Sequence, residues 1–108
     1  MKKLCAAALG LSLCGTAARA DPGWSPAFTI QSVIPTEQGL TLVATSDVNT
    51  RLGCTSSNWL QINSTDGNYG LISATVLTAF SQSRPLQVWE ANCTSAGTIR
   101  FTAAWVDR

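Results

Sequence analysis

The chain is expected to fold as a mainly β (α+β) domain, a small five-stranded Greek-key barrel with one helix between strands 3 and 4. Three observations carry this expectation. Apolar and polar residues alternate with period two over most of the chain after residue 27. One segment, residues 68–81, changes to the three-or-four spacing of an amphipathic helix. Finally, 22 of the residues from 21 to 108 are Ser or Thr, types that suit a half-exposed strand face.

The elements follow in order. Asp21-Pro22-Gly23-Trp24-Ser25-Pro26 is an extended lead-in with two prolines, and Trp24 within it is suited to covering a sheet edge or a subunit contact. The first strand places Phe28, Ile30, Ser32 and Ile34 on one side and Thr29, Gln31 and Val33 on the other. Pro35 to Gly39 supplies a turn with a glycine for positive φ, and Leu40 to Thr45 resumes the alternation, so the two runs form a hairpin. Ser46 to Ser57 is a polar loop around Cys54. A short third strand, Trp59 to Ile62, puts Leu60 and Ile62 on one face and Trp59 and Gln61 on the other.

The helix is expected from Asn68 to Ser81, with Tyr69, Ile72, Val76 and Phe80 as its apolar stripe and Asn68 or Asp66 as its cap. Arg84-Pro85 ends it, because proline cannot continue the hydrogen-bond ladder. Leu86 to Glu90 is the fourth strand, Ala91 to Gly97 a turn, and Thr98 to Val106 the fifth, with Ile99, Phe101, Ala103 and Trp105 on one face and Trp105 assigned to the core. Five strands with a helix after the third is the order of the OB-fold.

The first twenty residues are set apart. A basic start (Lys2, Lys3), an apolar stretch from Leu4 to Leu13 and the small-x-small site Ala18-Arg19-Ala20 form a secretory signal peptide. The stretch is too short for a bilayer span, which needs about twenty residues, so no stable membrane insertion is expected. Leu11-Ser12-Leu13-Cys14 also resembles a lipoprotein signal, and Cys14 lipidation stands as the alternative to cleavage after Ala20. Residues 21–108 then form a single domain, secreted or periplasmic. It retains four arginines and six acids, a formal charge of −2, with no lysine or histidine. Its two cysteines, Cys54 and Cys93, are expected to form one disulfide.

This composition narrows the chemistry. Without histidine or lysine there is no Ser-His-Asp or Cys-His arrangement and no Schiff-base lysine. Two distant cysteines and scattered acids do not form a zinc pattern, and no glycine-rich phosphate loop occurs. Asp47 and Asp66 are a carboxylate pair only if folding brings them together. The expectation is a non-enzymatic domain with no cofactor, no metal and no nucleic-acid partner, since clustered basic residues are lacking. Aromatic groups are better supplied. Four tryptophans offer apolar faces with an N–H donor, and Trp59 and Trp89 lie opposite the core faces of their strands.

Cys54-Thr55-Ser56-Ser57-Asn58-Trp59, Asn68-Tyr69-Gly70-Leu71-Ile72 through Leu77-Thr78-Ala79-Phe80, and Ser83-Arg84-Pro85-Leu86-Gln87-Val88-Trp89 together resemble the B subunits of subtilase-type and typhoid-type AB5 toxins and related small secreted bacterial proteins. The resemblance covers about residues 54–90. It implies an OB-fold that assembles as a homo-pentamer and binds glycans without catalysis. Trp59, Trp89, Tyr69, Asp66 and Asn68 are the candidate glycan contacts. The competing reading is a periplasmic or envelope protein-interaction module or inhibitor, with a protein partner in place of the glycan.

Overall fold

A computed structural model describes residues 21–106. The proposed leader, with Cys14, lies outside the described residues. The elements are β1 (Gly23–Trp24), β2 (Ile30–Thr36), β3 (Gly39–Ala44), β4 (Trp59–Asn63), α1 (Tyr69–Ser81), β5 (Leu86–Cys93) and β6 (Ile99–Val106). The strands form one six-stranded sheet in the order β1-β5-β6-β4-β3-β2. Neighbours are antiparallel except β4 and β6, which run parallel, so the sheet is mixed. A parallel pair needs a long connection, and here α1 and β5 supply it.

Five of these strands and the helix lie where the periodicity places them. The sixth strand, β1, arises in the proline-flanked lead-in, where the sequence predicts only an extended segment. Gly23 pairs with Glu90 and Trp24 with Trp89, extending the sheet past β5. The sheet is not closed by a continuous ladder. Between β1 and β2 the chain meets β5 at Ser25, whose amide donates to the Val88 carbonyl, and at Phe28, whose amide and carbonyl exchange hydrogen bonds of 3.0 and 2.8 Å with Leu86. Phe28, Leu42, Leu60, Ile62, Val76, Leu86, Val88, Ile99 and Phe101 form a single core between the inner sheet face and α1, joined by Val48 and Leu52 from the 45–58 loop.

Two irregularities overturn the expected faces. The β2–β3 register shifts between Ile30 and Ser32, so Val33 opposes the buried Leu42 while Ile34 opposes Thr41 and faces out. A bulge adds one residue to one strand and reverses every later side chain. The same happens between β5 and β6: Glu90 opposes Phe101, but Val88 opposes Ala104. Trp105 is consequently turned away from the core and is 52% exposed, contrary to its core assignment. Strand β5 also continues to Cys93, into the segment expected as a turn.

The helix begins one residue later than expected. Asn68 is in the left-handed region (φ 60°) and makes no side-chain cap; its backbone carbonyl accepts from the Ile72 amide at 2.9 Å. Ile72, Val76 and Ala79 are buried, whereas Phe80 is exposed. At the β2–β3 turn, Gly39 has φ 152°, and a Cβ there would lie 2.0 Å from the Ile62 carbonyl oxygen. We expect Gly39→Ala to cost about 2 kcal/mol in urea unfolding, because both the strained φ and the backbone overlap act together.

Candidate ligand-binding groove

The alternation of β4 puts Leu60 and Ile62 in the core and leaves Trp59, Gln61 and Asn63 on the outer face. Strand register then assembles a polar row across four strands. Thr41 of β3 opposes Gln61, Gln61 opposes Arg100 of β6, and Arg100 opposes Asn92 of β5. Gln61, Asn63, Asn92 and Arg100 line a groove of about 680 Å³. Its rims are the β2–β3 turn, with Glu37 and Gln38, and the β5–β6 turn, with Thr94 and Ser95.

Hydrogen bonds hold these side chains in place. Gln61 Nε2 donates to Asn63 Oδ1 at 2.7 Å, and the Thr94 and Thr98 hydroxyls are 2.6 Å apart. Arg100 donates through Nη1 to Asn92 Oδ1 at 3.4 Å and through Nη2 to Asp66 Oδ1. Asp66 Oδ2 accepts from the Asn63 amide at 3.0 Å. Partial burial pushes the Asp66 carboxyl up, but the Arg100 hydrogen bond, the Asn63 amide and the Arg100 charge outweigh it and hold its pKa below the ordinary aspartate value. Asp66 therefore stays ionised and orients Arg100. Each of Arg100's two outer nitrogens has a side-chain partner, so the groove presents mainly amides and hydroxyls rather than a free cation.

The candidate residues named from sequence separate into three places. Trp59 shares the outer face of β4 with the groove floor and is exposed. Asp66 reaches the groove through Arg100. Trp89 lies two strands away from β4 in the sheet order, where Trp24 meets its ring edge-on at 5.7 Å and the Trp105 ring at 5.8 Å. Tyr69 packs partly against the core, and exposed Asn68 borders a shallow depression beside Leu71 and Thr75. Asp47 and Asp66 do not act as a pair: Asp47 accepts from the Asn49 amide at 2.8 Å, while Asp66 is held by Arg100.

Gln61, Asn63, Asn92 and Arg100 escaped sequence reasoning as site residues. Their outward direction is legible in the alternation, but their proximity depends on the parallel pairing of β4 with β6. Cys54 and Cys93 are disulfide-bonded, as expected. Among the described residues no cluster of His, Cys, Asp and Glu is arranged to hold a metal, and no helix is long and apolar enough to cross a membrane. The chain matches no protein family, no curated protein and no solved structure.

Proposed function

We propose that this chain is a secreted, non-catalytic binding domain that takes a neutral, hydroxyl-rich ligand, a glycan, in the groove between the β2–β3 and β5–β6 turns. The observation that carries this reading is the lining itself. Side-chain amides and hydroxyls both donate and accept, matching the alternating needs of sugar hydroxyls, and Trp59 offers an exposed apolar ring on the same outer face of β4 as Gln61.

The strand arrangement supports an OB-like reading of residues 28–106. Three antiparallel strands precede the helix, the third runs parallel to the last, and Phe28 bridges to Leu86. OB-folds bind oligosaccharides on the face of strands 2 and 3 between the 1–2 and 4–5 loops. The corresponding parts here are β3, β4 and the two turns that rim the groove. A ring of five copies is the assembly that the toxin resemblance implies, and light scattering tests it directly.

Glycan-array binding is expected for the wild-type domain. Gln61→Ala and Trp59→Ala are each expected to weaken it about tenfold, the equivalent of one or two hydrogen bonds or a stacked ring. Trp89→Ala should leave it unchanged, because Trp89 belongs to the separate Trp24–Trp105 cluster. Absence of binding to any glycan would overturn the reading. One observation favours the second reading, a protein-interaction module or inhibitor: α1 carries no charged residue, and Leu71 and Leu77 are 72% and 47% exposed on it.

A further inference from the structure

We infer that Gly23, Arg51 and Glu90 form a proton-controlled latch on strand β1, in which the Arg51 guanidinium leaves the Trp24 carbonyl for the Glu90 carboxylate when that carboxyl ionises. The latch is independent of what the groove binds.

The starting point is the side chain of Glu90. Strand β5 directs Leu86, Val88 and Glu90 to the core, and Glu90 has no exposed surface. Neither carboxyl oxygen has a hydrogen-bond partner. A carboxylate buried without partners is far more costly than the neutral acid, so this arrangement suits the protonated form. Burial accordingly pushes the Glu90 pKa up to about 7, with the Arg51 charge pulling it down and the Asp47 charge pushing it further up.

The nearest remedy for an ionised Glu90 is already beside it. Its partner across the ladder is Gly23, and side chains at paired positions stand about 5 Å apart on the same face. The space that a side chain at residue 23 would occupy is filled by Arg51. A Cβ built on Gly23 would lie 2.6 Å from Cζ and Nη1 and 2.9 Å from Nε of that guanidinium. Arg51 thus sits in the slot next to Glu90, but its Nε donates to the Trp24 carbonyl at 3.1 Å. The change of partner requires only a short movement of one side chain.

Among the described residues, Arg51 is the cation whose charge acts on Glu90. The 45–58 loop contributes Arg51 and Asp47, and the chain leading into β1 carries Asp21. On β6, Phe101 faces Glu90, while Arg100 is directed to the opposite face and held by Asp66 and Asn92. Strands β3 and β4 and helix α1 have no charged residue.

The consequence falls on β1, which is two residues long and depends on few contacts. Loss of the Arg51 bond leaves it held by its two-residue ladder, by the Trp24 ring contacts and by Ser25, whose amide donates to the Val88 carbonyl at 2.8 Å, whose hydroxyl accepts from the Val88 amide at 3.1 Å and whose carbonyl accepts from Gln87 Nε2 at 3.0 Å. Release of β1 moves Trp24 away from Trp89 and Trp105 and uncovers the edge of β5, a template for strand addition.

Carbon-13 NMR of the glutamate carboxyls tests this in the full chain, which has only Glu37 and Glu90. The Glu90 signal, assigned by its loss in Glu90→Gln, is expected to titrate above the ordinary glutamate value of 4.5 and no higher than about 7. Tryptophan fluorescence should change at the same midpoint, and protection of the Ser25 amide should fall about tenfold across it. In Arg51→Gln the Glu90 midpoint should rise, and in Glu90→Gln the fluorescence change should vanish. Titration of Glu90 at or below the ordinary glutamate value of 4.5 would overturn the latch. So would flat fluorescence and Ser25 protection through a clear Glu90 titration, or an Arg51→Gln variant with an unaltered midpoint.

Discussion

Cys93→Ala, or reduction of the Cys54–Cys93 disulfide, is expected to lower the unfolding free energy by about 4 kcal/mol. The two cysteines are 39 positions apart, and closing a loop of that length removes this much chain entropy from the unfolded state. The effect is large against the roughly 5–15 kcal/mol that stabilises a typical domain. Its location adds to it. Cys54 lies in the loop that carries Val48 and Leu52 into the core, and the Asn49 side chain grips this loop by accepting from the Cys54 amide at 3.1 Å. Cys93 ends β5, so the bridge ties the loop to the sheet. Urea unfolding with and without reductant measures the loss. The midpoint should fall and the slope rise, because the unfolded chain without the cross-link exposes more surface. An unchanged midpoint would mean that packing of the loop alone suffices.

Glu90 produces the second large effect, through pH. Its folded-state pKa of about 7 lies above the ordinary value of 4.5, so between these pH values the folded chain holds a proton that the unfolded chain has released. The contribution of Glu90 to stability is then fully present below pH 4.5, declines as pH rises toward 7 and levels off above it. The decline is at most about 3 kcal/mol, from the free energy of one pKa unit. Arg51 pairing in the latch would make it smaller. Glu90→Gln keeps the shape and removes the ionisation, so its unfolding free energy should stay nearly level over that window and exceed that of the wild type at pH 8. Denaturant titrations at pH 5 and pH 8 decide the matter. A wild-type stability that does not fall between them would show that the buried carboxyl is not linked to folding.

Both expectations rest on residues whose positions the sequence partly reveals. The even pair of cysteines within residues 21–108 is sufficient to expect the bridge. Glu90 is legible too, because it continues the Leu86–Val88 alternation onto the core face, where an acid is out of place. What the alternation does not reveal is the pair of neighbours that makes Glu90 consequential. Gly23 and Arg51 reach it only because the proline-rich lead-in becomes β1 and the 45–58 loop folds back over it.

The same division holds at the groove. Trp59 and Gln61 are directed outward by a two-residue period that any strand must obey. Asp66 makes no side-chain helix cap, and its carboxylate holds Arg100, a residue 34 positions away whose proximity no local pattern indicates. Alternation alone gives Trp89 the same outward direction as Trp59, but its ring neighbour is Trp24, brought there by β1.

Local chemistry thus determined the strand and helix order, the inward faces of β4 and β5 and the cysteine pairing, since periodicity and turn residues act over a few positions. Tertiary structure alone decided the β4–β6 parallel pairing, the added strand β1 and the outward turn of Ile34 and Trp105. The physical reason is register: a bulge or a long-range pairing is selected by the best fit of two strands to each other. Neither strand carries that information by itself.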